Sequence, residues 1–97
     1  MMISRQQAEA LAVEHIEALG RDVPGGVALM SESTMAKPYG WVFFFDAKRF
    51  LETGIPLEAL GGNSPILVEA TNGRITLLGT GTPVVESLLK FERENGL

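Results

Sequence analysis

Apolar residues recur at helical spacing near the start of the chain. Ala8, Leu11, Ala12, Ile16 and Leu19 form one stripe, and Arg5, Glu9, Glu14 and Glu17 lie mostly off it. Ser4 with Gln7 three residues later is a capping-box pattern, and Ile3 is placed to staple onto Ala8. Gly20 supplies a C-terminal stop. The spacing predicts a helix over Ile3–Leu19. Arg21–Gly26, with Pro24-Gly25-Gly26, then reads as a turn.

The period changes after this turn. Val27–Glu32 reads as a strand and Ser33–Gly40 as a loop closed by Pro38. Tyr39–Asp46 is the clearest strand, because aromatic and β-branched residues dominate it. Alternation places Tyr39, Trp41, Phe43 and Phe45 on one face and Val42 and Phe44 on the other. Both faces are apolar, so a central strand covered on both sides is expected, with Trp41 less covered near the strand's start.

Ala47–Gly62 carries no clear period. Pro56–Leu60 is read as one helical turn ended by Gly61-Gly62. Pro65–Ala70 and Arg74–Leu78 are expected strands. Asn72-Gly73 between them signals a hairpin, since both residues tolerate positive φ. Thr82 as N-cap and Pro83 at the first helical position open a final helix with an apolar face of Val84, Val85, Leu88, Leu89 and Phe91. The expected fold class is α+β: a four-stranded, mainly antiparallel sheet with the N-terminal and C-terminal helices packed on one face, in the order α-β-β-β-β-α.

The length of 97 residues fits one domain over residues 1–97. Without cysteine, disulfides, thiolate metal sites and a cysteine nucleophile are excluded. Eight basic against twelve acidic residues give a net charge of −4, and Lys48–Arg49 is the only adjacent basic pair. No basic patch suits nucleic acid. Met1–Ala8 has no apolar signal region behind it, and the longest dense apolar run, Trp41–Phe45, has five residues. A cytoplasmic protein without a membrane segment is therefore expected.

Candidate chemistry is sparse. His15 is the only histidine and sits beside the apolar stripe, so it reads as a helix packing residue. Asp46, Glu52 and Glu69 flank strand ends and Glu32 ends the first strand; paired carboxylates run acid–base chemistry only where burial separates their pKa values. Gly79-Thr80-Gly81-Thr82 precedes a helix but lacks the lysine of a phosphate-binding loop. The serines lack the nucleophile-elbow context. No catalytic residue, cofactor or metal is expected. Tyr39 and Trp41 combine apolar bodies with polar tips, which suits either a core or a protein interface.

From Tyr39 onward the chain carries Gly40-Trp41-Val42-Phe43-Phe44-Phe45, then Phe50-Leu51-Glu52-Thr53-Gly54. Gly61-Gly62-Asn63-Ser64-Pro65-Ile66-Leu67-Val68, Asn72-Gly73-Arg74-Ile75 and Leu78-Gly79-Thr80 follow in order. This ordered set resembles the immunity protein 35 family, the YrhB-type domain of bacteria. The resemblance implies an α+β fold and a role in polymorphic-toxin systems, where a small cytosolic protein binds a cognate toxin and blocks it. It also implies a link to chaperone-like behaviour, offers no catalytic motif, and singles out Trp41. Phe91 stands where a tyrosine is more typical, so no role of that hydroxyl carries over.

The sequence thus points to a non-enzymatic, toxin-neutralising immunity protein, with Tyr39, Trp41, Asp46 and Glu52 as candidate contacts. The alternatives are a chaperone-like protein binding unfolded clients and a small carboxylate-dependent enzyme. An exposed edge strand would offer a route to a homodimer.

Overall fold

A computed structural model gives the structure of residues 2–60 and 64–97. Gly61-Gly62, expected to end a helical turn, and Asn63 lie outside the described residues. Helix α1 spans Arg5–Leu19. Its capping box is formed: Gln7 N donates to Ser4 Oγ at 3.1 Å and Ser4 N donates to Gln7 Oε1 at 2.9 Å. Ala8, Ala12 and Ile16 are fully buried, whereas Leu19 drops off the stripe and is exposed. Gly20 ends the helix with φ −94°, not in a left-handed turn. Its requirement is space, because a Cβ there would sit 2.6 Å from both Val27 methyls.

Among the described residues six strands follow: β1 (Val27–Leu29), β2 (Met35–Lys37), β3 (Gly40–Phe43), β4 (Phe45–Ala47), β5 (Ile66–Glu69) and β6 (Ile75–Leu77). β2, β3, β5 and β6 form an antiparallel four-stranded sheet in that order, and β1 pairs antiparallel with β4 in a two-stranded sheet. The expected α+β fold and four-stranded sheet are observed, with three local corrections. The first strand stops at Leu29, and a 3₁₀ turn over Ser31–Ser33 takes up Glu32. The expected loop contains β2, which turns back into β3 through Pro38-Tyr39, with Lys37 paired to Gly40. The expected strand Tyr39–Asp46 is interrupted at Phe44.

These corrections share one cause. β1 and β2 run antiparallel to β4 and β3 as a single bent ribbon, in which Met30 N donates to Phe44 O at 2.8 Å between the two paired stretches. The Ser31–Ser33 turn adds residues to one arm only, so the ribbon bends there, as at a large β-bulge.

Helix α2 (Lys48–Thr53) follows β4 directly and ends at Gly54, whose φ of 71° is left-handed. The expected turn near Pro56 is a 3₁₀ turn over Pro56–Glu58. β5 and β6 join through residues 70–74, where Gly73 is left-handed but Asn72 is not. Asn72 instead accepts from Arg74 N through Oδ1 at 2.9 Å, so the connection is a longer Asx-type loop and not a two-residue primed turn. Helix α3 (Val84–Glu94) starts one residue later than expected, with Pro83 at the cap position in place of Thr82.

The two terminal helices do not share a face. α1 packs with Phe43, Phe45, Ile66 and Val68. α3 sets Leu88 against Val42 and Leu67 on the other side. Strand alternation explains this correction: β3 and β5 are apolar on both faces, and burying both takes one helix on each. Tyr39 also departs from simple alternation. It lies in the turn before β3, and its ring joins Phe91 on the α3 side, opposite Trp41. No helix among the described residues is long and apolar enough to cross a membrane.

Candidate protein-binding surface

The four candidate contacts are dispersed. Tyr39 is half-buried, stacks on Phe91 with ring centroids 5.6 Å apart, and donates its hydroxyl to Glu92 Oε2 at 2.6 Å. Lys37 Nζ reaches the same oxygen at 3.4 Å. Burial, then the hydrogen bond to the Glu92 carboxylate, pushes the Tyr39 hydroxyl pKa above its ordinary range. The Tyr39 hydrogen bond, helped by Lys37, holds the Glu92 carboxyl below its own. This cluster ties the β2–β3 turn to α3, so the Tyr39 hydroxyl is committed within the fold.

Trp41 is half-buried against the α1-side core, between Ala36 on β2 and Val68 on β5. Asp46, on β4, accepts from Ala47 N and Leu60 N through Oδ1, both at 2.8 Å. It thereby pins the segment after α2 back onto β4. Glu52 is exposed on α2. The structure gathers these residues into neither one pocket nor one face.

His15 is half-buried beside a cavity of about 290 Å³ lined by Leu11, Glu14, Ala18 and Ile75, and its Nε2 has no protein hydrogen-bond partner. Among the described residues, no group of three or more His, Cys, Asp or Glu is placed to hold a metal. Gly79 opens a turn in which its N–H donates to Ser64 Oγ at 2.8 Å, so this glycine segment is braced against the residues leading into β5.

The bend of the ribbon produces the surface feature that sequence reasoning missed. Met30, Ser33, Met35, Phe44 and Asp46 line an open cleft of about 350 Å³. A second cleft of about 400 Å³ shares Met30 and Ser33 and continues to Leu29, Glu32 and Leu51. The walls are mostly apolar and half-exposed. The signal in the sequence was Met30 and Met35 on either side of a Ser-rich stretch, but nothing local says that a turn inserted between them leaves both beside Phe44.

A family model described as Immunity protein 35 matches residues 6–92. A relative titled "Uncharacterized protein YrhB", from Escherichia coli (strain K12), is 43% identical over 53 residues, covering 55% of this chain and 56% of the relative. The chain thus spans little more than half of that relative's length. No solved structure matches. With the family pattern running from α1 into α3, the chain belongs to the Immunity protein 35 family.

Proposed function

We propose that this chain is a bacterial cytoplasmic immunity protein that neutralises a cognate toxin by stoichiometric binding, without chemistry of its own. The observation carrying this reading is the family pattern over residues 6–92. The dispersion of the carboxylates supports it, since Asp46 serves as a backbone bracket and Glu52 is exposed on α2. Blocking a toxin requires only a complementary surface that covers its active site. Tyr39, Trp41, Asp46 and Glu52 remain the proposed contacts; Trp41 and Glu52 bring exposed area, while Tyr39 and Asp46 hold the neighbouring backbone. The test is a search of the genes adjoining this one for a toxin-like coding region and co-expression with its product: an equimolar complex and restored growth support the proposal, and neither appearing refutes it.

A second reading, binding of unfolded clients, is favoured by one observation. Leu57 is 96% exposed on the turn after α2, and Ile55 beside it is 46% exposed. That reading expects suppressed aggregation of several unrelated denatured proteins, whereas an immunity protein prefers one partner.

A further inference from the structure

We propose that the cleft at the bend of the β1–β2/β3–β4 ribbon docks a toxin segment that places apolar side chains beside lysine or arginine. This rests on the immunity reading and adds to it the place of contact and the chemistry of the partner. Three features carry it. The first is shape: two clefts of about 350 and 400 Å³ adjoin through Met30 and Ser33, enough for several side chains of one segment. The second is the lining. Met30 and Met35 are unbranched and adapt to irregular partners, while Phe44 gives a rigid aromatic wall.

The third is charge. Asp46 lines one cleft and Glu32 the other. Glu9 stands at the same rim, where its Oε1 accepts from Ser31 Oγ at 3.1 Å. One cation among the described residues also reaches this rim, Arg5, which donates to Ser31 O at 3.3 Å, so three carboxylates face a single guanidinium there. The basic pair of α2 points elsewhere: Arg49 and Lys48 lie against Gly25 and Gly26 in the turn before β1. An apolar floor with an acidic rim, on a chain of net charge −4, complements a basic, apolar segment.

The probe is a short synthetic peptide alternating lysine and leucine, titrated into the full chain while the methionine methyl signals are followed by NMR. A peptide with glutamate in place of lysine is the comparison. The expected result is movement of the Met30 and Met35 methyls with the lysine peptide and not with its glutamate counterpart, while the Met2 methyl stays in place. Glu32→Lys weakens the lysine peptide about tenfold. Glu94→Lys, which changes net charge equally but sits on α3, leaves its affinity within about twofold. Unmoved Met30 and Met35 signals, equal binding of both peptides, or equal effects of the two variants would each overturn the proposal. So would a dimer of the free chain whose dissociation moves those same methyls, since a second copy would then occupy the cleft. In the toxin complex itself, an unchanged affinity on Met30→Ala removes the cleft but leaves the immunity reading standing. A toxin that never binds removes the immunity reading, while the peptide titration still reports on the cleft.

Discussion

Gly40→Ala probes a close backbone approach between β3 and β5. A Cβ at Gly40 would overlap the Val68 carbonyl oxygen and lie 3.0 Å from Glu69 Cα and 3.1 Å from Val68 C. Comfortable carbon–carbon contact begins near about 3.5 Å, and every atom met is backbone, so no side chain can swing aside. The only relief is to push β3 off β5, the pair that carries Gly40↔Glu69, Trp41↔Val68 and Phe43↔Ile66. Both cores hang from those strands, since Phe43 feeds one and Val42 the other. Overpacking of this kind costs about 3 kcal/mol, a large part of the ~5–15 kcal/mol that holds a small domain together. For this chain length the melting temperature then falls by roughly 12–24 °C. Thermal and urea unfolding followed by circular dichroism measure the loss. The single tryptophan, Trp41, is the neighbouring residue and reports the displaced strand by red-shifted emission. Gly81→Ala, with nothing within 4 Å of its added Cβ, stays within about 0.5 kcal/mol of the parent. If Gly40→Ala also stays that close, with unchanged emission, the described approach of β3 to β5 is wrong.

Three further outcomes follow from named contacts. Ser4→Ala removes the cap that accepts from Gln7 N and costs about 1 kcal/mol in urea unfolding; a neutral result means the capping box holds nothing. The chain has one tyrosine, so ultraviolet absorbance of tyrosinate follows Tyr39 alone. Its ionisation is expected above the ordinary pKa of 10.0, and Glu92→Gln brings it back toward that value. The same pair predicts a pH window for the anchoring of α3. The raised Tyr39 pKa gives stability that is complete below pH 10 and lost as pH rises through the folded value, and the lowered Glu92 pKa gives stability complete above the ordinary 4.5 and lost as pH falls through the folded value. Tyr39→Phe flattens both edges, which hydrogen exchange of the α3 amides across pH would register.

The sequence disclosed what depends on neighbours along the chain. The Ser4/Gln7 box, the Ala8–Ala12–Ile16 stripe and the two apolar faces of β3 are local patterns, and each recurs in the structure. What stayed hidden depends on pairing at a distance. Pro38-Tyr39 gives none of the positive-φ signals of a favoured hairpin, so β2 read as loop. Lys48–Thr53 is too short for a helical period to emerge. The helix arrangement was implied by β3 itself, because a strand apolar on both sides needs cover on both, yet helix order along the chain carries no side. The Tyr39–Glu92 bond joins residues 53 apart with no motif between them. The cleft is hidden for the same reason: Met30, Met35 and Phe44 meet only because a turn lengthens one arm of the ribbon.

Neutralisation by equimolar binding is decided by calorimetric titration of a purified toxin-like partner with this chain. One saturable transition at a one-to-one ratio is expected, with toxin activity falling in step and disappearing at equivalence. Toxin activity that persists at saturation, protection at far below one equivalent, or comparable heats with unrelated unfolded proteins would contradict it.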